Sequence, residues 1–369
     1  MKKELSPSDT VIQNVCKVRK NERVLIIANP RTADIAQDLY ASATNAGART
    51  TLIFQSEKTS FDNAEPEVIA AIATNPDVCI SVSACKLGKD AGASAKPYIL
   101  ETGEKYTHIF DYLLEGKKTM RAVWTPGITQ DMFSRTVNIN YAELAERCRI
   151  LGTYFKDVET VNVTAPSGTD LTVPVHGRKL FFDDGDFSKA GCGGNIPAGE
   201  VFISPLVGNG VDSGCFGKIV YDGSMTFSDG DSIIETPVCC TVEHGFVKDI
   251  TGGAEAKRLL KTITEAENRA VAMEKDGLLP EGMGAVYRRN ARNIGELGIG
   301  LNPAAIITGN MLEDEKAFTT CHFAIGENYD NDAPGLIHLD GVVRNPTIVL
   351  NYADGSMRTI LDKGVLQLG

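Results

Sequence analysis

The first 150 residues alternate short apolar runs with stretches of helical spacing. Arg23-Val24-Leu25-Ile26-Ile27-Ala28 is a continuous β-rich run, of the kind buried on both faces of a parallel sheet. Asn29-Pro30 closes it. Ala33 to Ala46 then puts Ile35, Leu39 and Ala43 on one face, and Gly47 is a natural helix stop. Thr50 to Phe54 predicts the next strand. Pro66 starts a helix that carries Val68, Ile69 and Ile72, and Val78 to Val82 and Arg121 to Trp124 predict two further strands. This β-α-β order predicts an α/β fold whose N-terminal domain is a doubly wound, Rossmann-like parallel sheet.

A helix from Tyr141 to Phe155 leads into a different texture. Val161 to Thr164, the turn Pro166-Ser167-Gly168-Thr169 and Leu171 to Val173 predict a β-hairpin. Further strands are expected around Val201, from Lys218 to Tyr221 and from Val238 to Val242. Ala254 to Lys275 reads as a long helix with Leu259, Leu260, Ile263, Ala266 and Ala270 on its core face. The change of texture places a boundary near residue 150. It separates an N-terminal α/β domain, 1–150, from an α+β domain, 151–369.

Composition narrows the function. The 369 residues carry 48 acids against 37 Lys plus Arg, a net charge of -11, which argues against nucleic acid as a partner. The loop after the first strand, Asn29-Pro30-Arg31-Thr32, has no glycine to admit a pyrophosphate, and no GxxxxGK[ST] occurs. Met1 to Pro7 lacks an apolar core behind its lysines, and no run approaches the ~20 apolar residues of a membrane span. Nine cysteines without paired spacing or CxxC are expected as free thiols in a reducing cytoplasm.

Only 5 histidines are present. His108, His176 and His244 read as structural residues. His322 and His338 differ, because carboxylates or a phenol stand close by. In His338-Leu339-Asp340 the i, i+2 spacing puts imidazole and carboxylate on one face of a strand, with Leu339 facing a core. Such ligands, with His322 from a neighbouring strand or loop, make a nitrogen and oxygen site for a divalent ion. Two further acids stand beside glycine-built loops. Glu200 follows Gly193-Gly194-Asn195-Ile196-Pro197-Ala198-Gly199, and Glu296 lies in Ile294-Gly295-Glu296-Leu297-Gly298-Ile299-Gly300. An acid placed there is costly to bury unpaired.

These motifs together resemble the thermophilic metalloaminopeptidase family, the aminopeptidase T group (peptidase family M29). The motifs are Asn195 to Phe202, Glu296 to Pro303, His322, Tyr329 and His338 to Gly341. The resemblance is specific in these motifs and diffuse over residues 1 to 150. It implies an N-terminal α/β domain, a C-terminal metal domain and a homodimer with enclosed sites. It also implies two divalent ions (zinc, cobalt or manganese) held by Glu200, Glu296, His322, His338 and Asp340. Tyr329 falls on the family's active-site tyrosine. Gly199 departs from the pattern, standing where those enzymes often carry a second acid, and the stretch between His322 and His338 is trimmed. A related branch of the fold opens hydroxylated pyridine rings with one non-haem iron and dioxygen, using a ligand set that lacks one of these histidines.

The expected function is therefore hydrolysis of the N-terminal residue of a peptide with a free α-amine. The alternative is the ring-cleaving dioxygenase. Two divalent ions against three carboxylates leave a net +1, which suits binding and deprotonating a bridging water. Glu200 or Glu296 is the candidate proton shuttle, and Tyr329 either donates to the oxyanion or completes the coordination sphere.

Overall fold

The computed structural model describes residues 5–59 and 62–369. Met1 to Glu4, on which the reading of the N-terminus partly rests, lie outside the described residues. The chain divides into two compact units: Met1–Ala145 with Asp183–Ala198, and Glu146–Phe182 with Gly199–Gly369.

The first unit is built on a five-stranded parallel sheet in the order Gly193–Asn195, Arg121–Trp124, Val78–Val82, Arg23–Ala28, Arg49–Phe54. Its central strands are buried along most of their length because helices cover both faces. Val24 to Ala28 and Val78 to Val82 are all buried. The helix Ala33–Asn45 turns Ile35, Leu39 and Ala43 inward, and Pro66–Ala73 turns in Val68 and Ile72. On one side Leu25, Ile27, Val68, Ile72, Cys79 and Phe110 share a core.

The fifth strand was not expected. Gly193 to Asn195 lacks any apolar pattern, and the sequence predicts a loop there. The structure makes it a sheet edge, since a side chain on Gly193 would meet the Ala122 carbonyl oxygen at 2.7 Å and the Trp124 ring at 2.9 Å. A single cut at residue 150 accordingly misses the return of Asp183–Ala198 to the first unit.

The second unit carries two antiparallel sheets. One has eight strands and contains the expected hairpin, Val158–Thr164 against Asp170–Pro174. The other has seven and runs Gly230–Ile233, Ser224–Phe227, His338–Arg344, Thr320–Gly326, Ile294–Gly300, Glu200–Ile203, Leu180–Asp183. The helix Ala254–Lys275 buries Ala256, Leu259, Ile263, Ala266 and Ala270. Leu260, expected on that face, is 43% exposed. It lies one residue, about 100°, off the stripe set by 256, 259, 263, 266 and 270. Among the described residues no helix is long and apolar enough to cross a membrane, and all nine cysteines are free.

Candidate metal centre

Four adjacent strands of the seven-stranded sheet bring the candidate residues together. Glu200 opens the strand Glu200–Ile203, and Glu296 sits beside a bulge in Ile294–Gly300. His322 comes from Thr320–Gly326, and His338 and Asp340 come from His338–Arg344. Register then decides who meets whom. Ala324 pairs with Glu296 on one side and Asp340 on the other, so a small residue lies between the two acids. Gly298 pairs with His322, and a Cβ on Gly298 would fall 2.0 Å from His322 Nε2. The imidazole lies over a position that only glycine leaves open.

The distances follow from that layout. His322 Nε2 is 3.0 Å from Glu296 Oε1 and 3.4 Å from Glu200 Oε2. His338 Nε2 is 3.2 Å from Glu296 Oε2 and 3.3 Å from Asp340 Oδ1. Each imidazole thus faces a different oxygen of Glu296. His338 Nδ1 lies 2.9 Å from the Glu327 carbonyl oxygen. Donating to that carbonyl fixes the ring and leaves Nε2 for the centre. Leu339, on the opposite face, is buried as the alternation requires.

Glu200, Glu296 and His322 are all buried. Their charges are correspondingly shifted. Burial works against ionising Glu296, but hydrogen bonds and charge from both imidazoles outweigh it and hold the carboxyl below its ordinary range. Burial likewise opposes a charged His322, yet Glu296, Glu200 and Asp340 lift its pKa to about 9. His338 is raised well above its ordinary value against the same burial, chiefly by Asp340 and Glu296. Asp340, partly buried, is held at about 2 against desolvation by His338 first and His322 next. Positive charge between the acids is what this arrangement stabilises.

Two overlapping groups have the donors of an ion site: Glu200, Glu296 and His322, then Glu296, His338 and Asp340, each with ligand atoms within 4.8 Å of one another. Glu200 Oε2 and Asp340 Oδ1 are buried and accept no hydrogen bond from the protein. Each faces an imidazole nitrogen, at 3.4 and 3.3 Å, and carboxylate and imidazole donors grouped in this way fit a divalent cation. The residues therefore fit the metal that the motifs imply.

Tyr329 lies apart from this cluster of donors, in the loop between the strands that carry His322 and His338. Its ring stands 5.3 Å from that of His338 and 4.9 Å from Phe202. Phe202 in turn stacks on Phe181 at 5.1 Å. These three rings form an aromatic wall beside the carboxylate and imidazole cluster. Tyr329 is half exposed; partial desolvation and then the acids of the centre push its phenol up, so it stays protonated as a donor. The trimmed loop is tied down by Arg178 on Asp332 (2.8 Å) and by Asn328 on Asp332 and Ala333.

His108 and His176 have local partners outside this cluster. His108 Nδ1 accepts from the Phe110 amide, and His176 pairs with Glu159 at the surface. Sequence reasoning missed Glu315 and Lys316, which reach the centre from Met311–Asp314 and the turn after it. Lys316 is fully buried, 3.0 Å from Glu200 Oε1 and in contact with Glu315. Burial raises the Glu315 carboxyl to about 8, against the pull of Lys316. In sequence they belong to a charge run that reads as surface, and no pattern distinguishes them.

A parallel-sheet unit joined to an antiparallel unit bearing a carboxylate and imidazole ion site defines a metal-using enzyme. The chain belongs to the NicX family, described as 2,5-dihydroxypyridine 5,6-dioxygenase, whose model matches residues 10–367. Two solved structures share the fold. The 2,5-dihydroxypyridine dioxygenase from Pseudomonas putida KT2440 matches at 15% identity and a TM-score of 0.68, over 98% of each chain. AmpT from Thermus thermophilus matches at 15% identity and a TM-score of 0.62, again over 98% of each chain. No curated protein sequence matches significantly. The resemblance read from the motifs is to the aminopeptidase T group, whereas the matching family model carries the description of the ring-cleaving branch.

Proposed function

We propose that the chain is a metal-dependent hydrolase that removes the N-terminal residue of peptides at a two-ion centre bridged by Glu296. The observation that carries this reading is the division of Glu296 between two ligand groups, one oxygen facing His322 and the other His338. Each group holds one imidazole and two carboxylates. One imidazole with two carboxylates also suits a single ion, so it is the sharing of Glu296 between two such groups, not the donor set of either, that favours two ions.

Two divalent ions supply Lewis acidity and a water of lowered pKa. The residues do the rest. Glu200, Glu296 and Asp340 would leave a net +1 around two divalent ions. Both oxygens of Glu296 face imidazoles and Glu200 has Oε1 on Lys316, so neither acid expected to shuttle the proton has a free oxygen in this arrangement. Tyr329, held protonated, donates toward the carbonyl oxygen as it gains charge. The wall of Phe181, Phe202 and Tyr329 favours an apolar side chain on the residue released.

A second reading has its own support. The family description and the Pseudomonas neighbour favour ring cleavage of a hydroxylated pyridine with one iron and dioxygen. On the comparisons alone it is the better backed of the two, and the aromatic wall suits a planar ring equally well. One paired assay separates them. Metal-stripped protein is reloaded with zinc, cobalt or manganese and given an amino-acid anilide, or reloaded with ferrous iron and given 2,5-dihydroxypyridine under oxygen. Anilide hydrolysis is the expected result. Iron-dependent oxygen uptake without any hydrolysis overturns the peptidase in favour of the second reading.

A further inference from the structure

Glu313-Asp314-Glu315-Lys316 reads as a solvated run of charge, yet Glu313, Asp314 and Lys316 are each no more than 1% exposed. The acids of the short helix Met311–Asp314 are absorbed locally. Glu313 accepts from the Ile306 amide and Asp314 from the amides of Thr308 and Gly309. Lys316 points elsewhere. Its backbone is pinned to the sheet, its carbonyl accepting from the Asn302 amide at 3.0 Å. A Cβ on Gly300 would fall 2.1 Å from the Ala317 carbonyl oxygen, so turn and strand touch only because residue 300 is glycine. Gly300 is the residue paired with Glu200 across the sheet. The ammonium therefore reaches Glu200 because the fold delivers it there, not because a long side chain wandered in.

An ammonium is costly to bury, and one held at such a place is retained for what it contacts. Its Nζ occupies Glu200 Oε1 at 3.0 Å, while the other oxygen, Oε2, is buried, unpartnered and 3.4 Å from His322 Nε2. We propose that Lys316 is a positioning residue of the metal centre, gripping Glu200 from behind so that Oε2 faces the ion shared with His322 and Glu296. This rests on the two-ion reading. Without the lysine, Glu200 is free to rotate or to turn toward the turn that carries Glu315, and the ion beside His322 loses a fixed ligand.

The plainer role is neutralisation of Glu315, which Lys316 also touches. Two variants distinguish the roles, with manganese chloride titrated into metal-stripped protein and bound metal counted per chain. Lys316→Met weakens the ion beside His322 by roughly tenfold to a hundredfold, the usual penalty for losing an orienting partner, and leaves the other ion unchanged. The double variant Lys316→Met/Glu315→Gln carries no stranded charge from the pair, so it folds even if the single variant does not. Compared with Glu315→Gln alone, it shows the same loss. Equal affinity in the double variant and Glu315→Gln, or unchanged or tighter binding in Lys316→Met, overturns the proposal. If the unsubstituted chain itself takes up one ion, the two-ion reading fails, and Lys316 is judged by the affinity of that one ion in the same variants.

Discussion

Gly298 is the position where fold and chemistry constrain each other most tightly. A methyl group added there sits 2.0 Å from His322 Nε2, 2.1 Å from Cε1 and 2.9 Å from Cδ2. Non-bonded heavy atoms settle at about 3.5 Å or more, so the ring or the strand must give by roughly 1.5 Å. A metal to nitrogen bond tolerates only about 0.2 Å. The ring has little room to retreat, because His322 is 1% exposed. Gly298→Ala should therefore cost about 1–3 kcal/mol of stability, as overpacking a core does. It should also lower metal affinity by at least about tenfold, through displacement of one ligand. Thermal melts of the metal-free protein measure the first effect, and manganese titration the second. A Gly298→Ala protein that binds manganese as tightly as the unsubstituted chain would show that His322 is not a ligand in this geometry.

Other outcomes test separate parts. In the metal-free protein the His322 pKa is lifted from 6.5 to about 9. Its contribution to stability is full below pH 6.5 and fades as pH rises through about 9. Melting temperature should fall across that window without metal and stay flat with it, and parallel curves would contradict the assignment. Because the ligands must be neutral imidazoles, metal uptake at pH 7.5 should release the protons of both His322 and His338, seen as a buffer-dependent heat in calorimetry. Tyr329→Phe should leave metal loading intact and lower turnover by about 10²–10³, the range for a lost oxyanion donor, and unchanged turnover would remove Tyr329 from the chemistry. On the long helix, Leu259→Ala should cost about 2–5 kcal/mol and Leu260→Lys under about 0.5 kcal/mol in denaturant melts. Equal costs would contradict the observed burial.

What could be read in the sequence follows the period of each element. The strand carrying His338 and Asp340 was legible because alternation by two puts both on one face whatever else surrounds it. The parallel sheet was legible because its central strands are apolar on both faces. Leu260 was misplaced because a stripe of helical spacing does not say which of two adjacent leucines leads it. Gly193 to Asn195 carries no hydropathy signal, since its place in the sheet depends on having no side chain. Lys316 was invisible for the opposite reason. Its charge marks it as surface, and only the register that sets Gly300 against Glu200 shows why it is buried. The convergence of Glu200 and Glu296 with the two histidines depends on strand order, which no local pattern encodes.

The central claim is that Glu296 bridges two ions, and counting metal tests it most directly. Protein purified without chelator, or stripped and reloaded with zinc, cobalt or manganese, should carry two divalent ions per chain by elemental analysis. Glu200→Gln should reduce that count to one, and Glu296→Gln should abolish both. One iron per chain, unaffected by Glu200→Gln and accompanied by substrate-dependent oxygen uptake, would contradict the two-ion account.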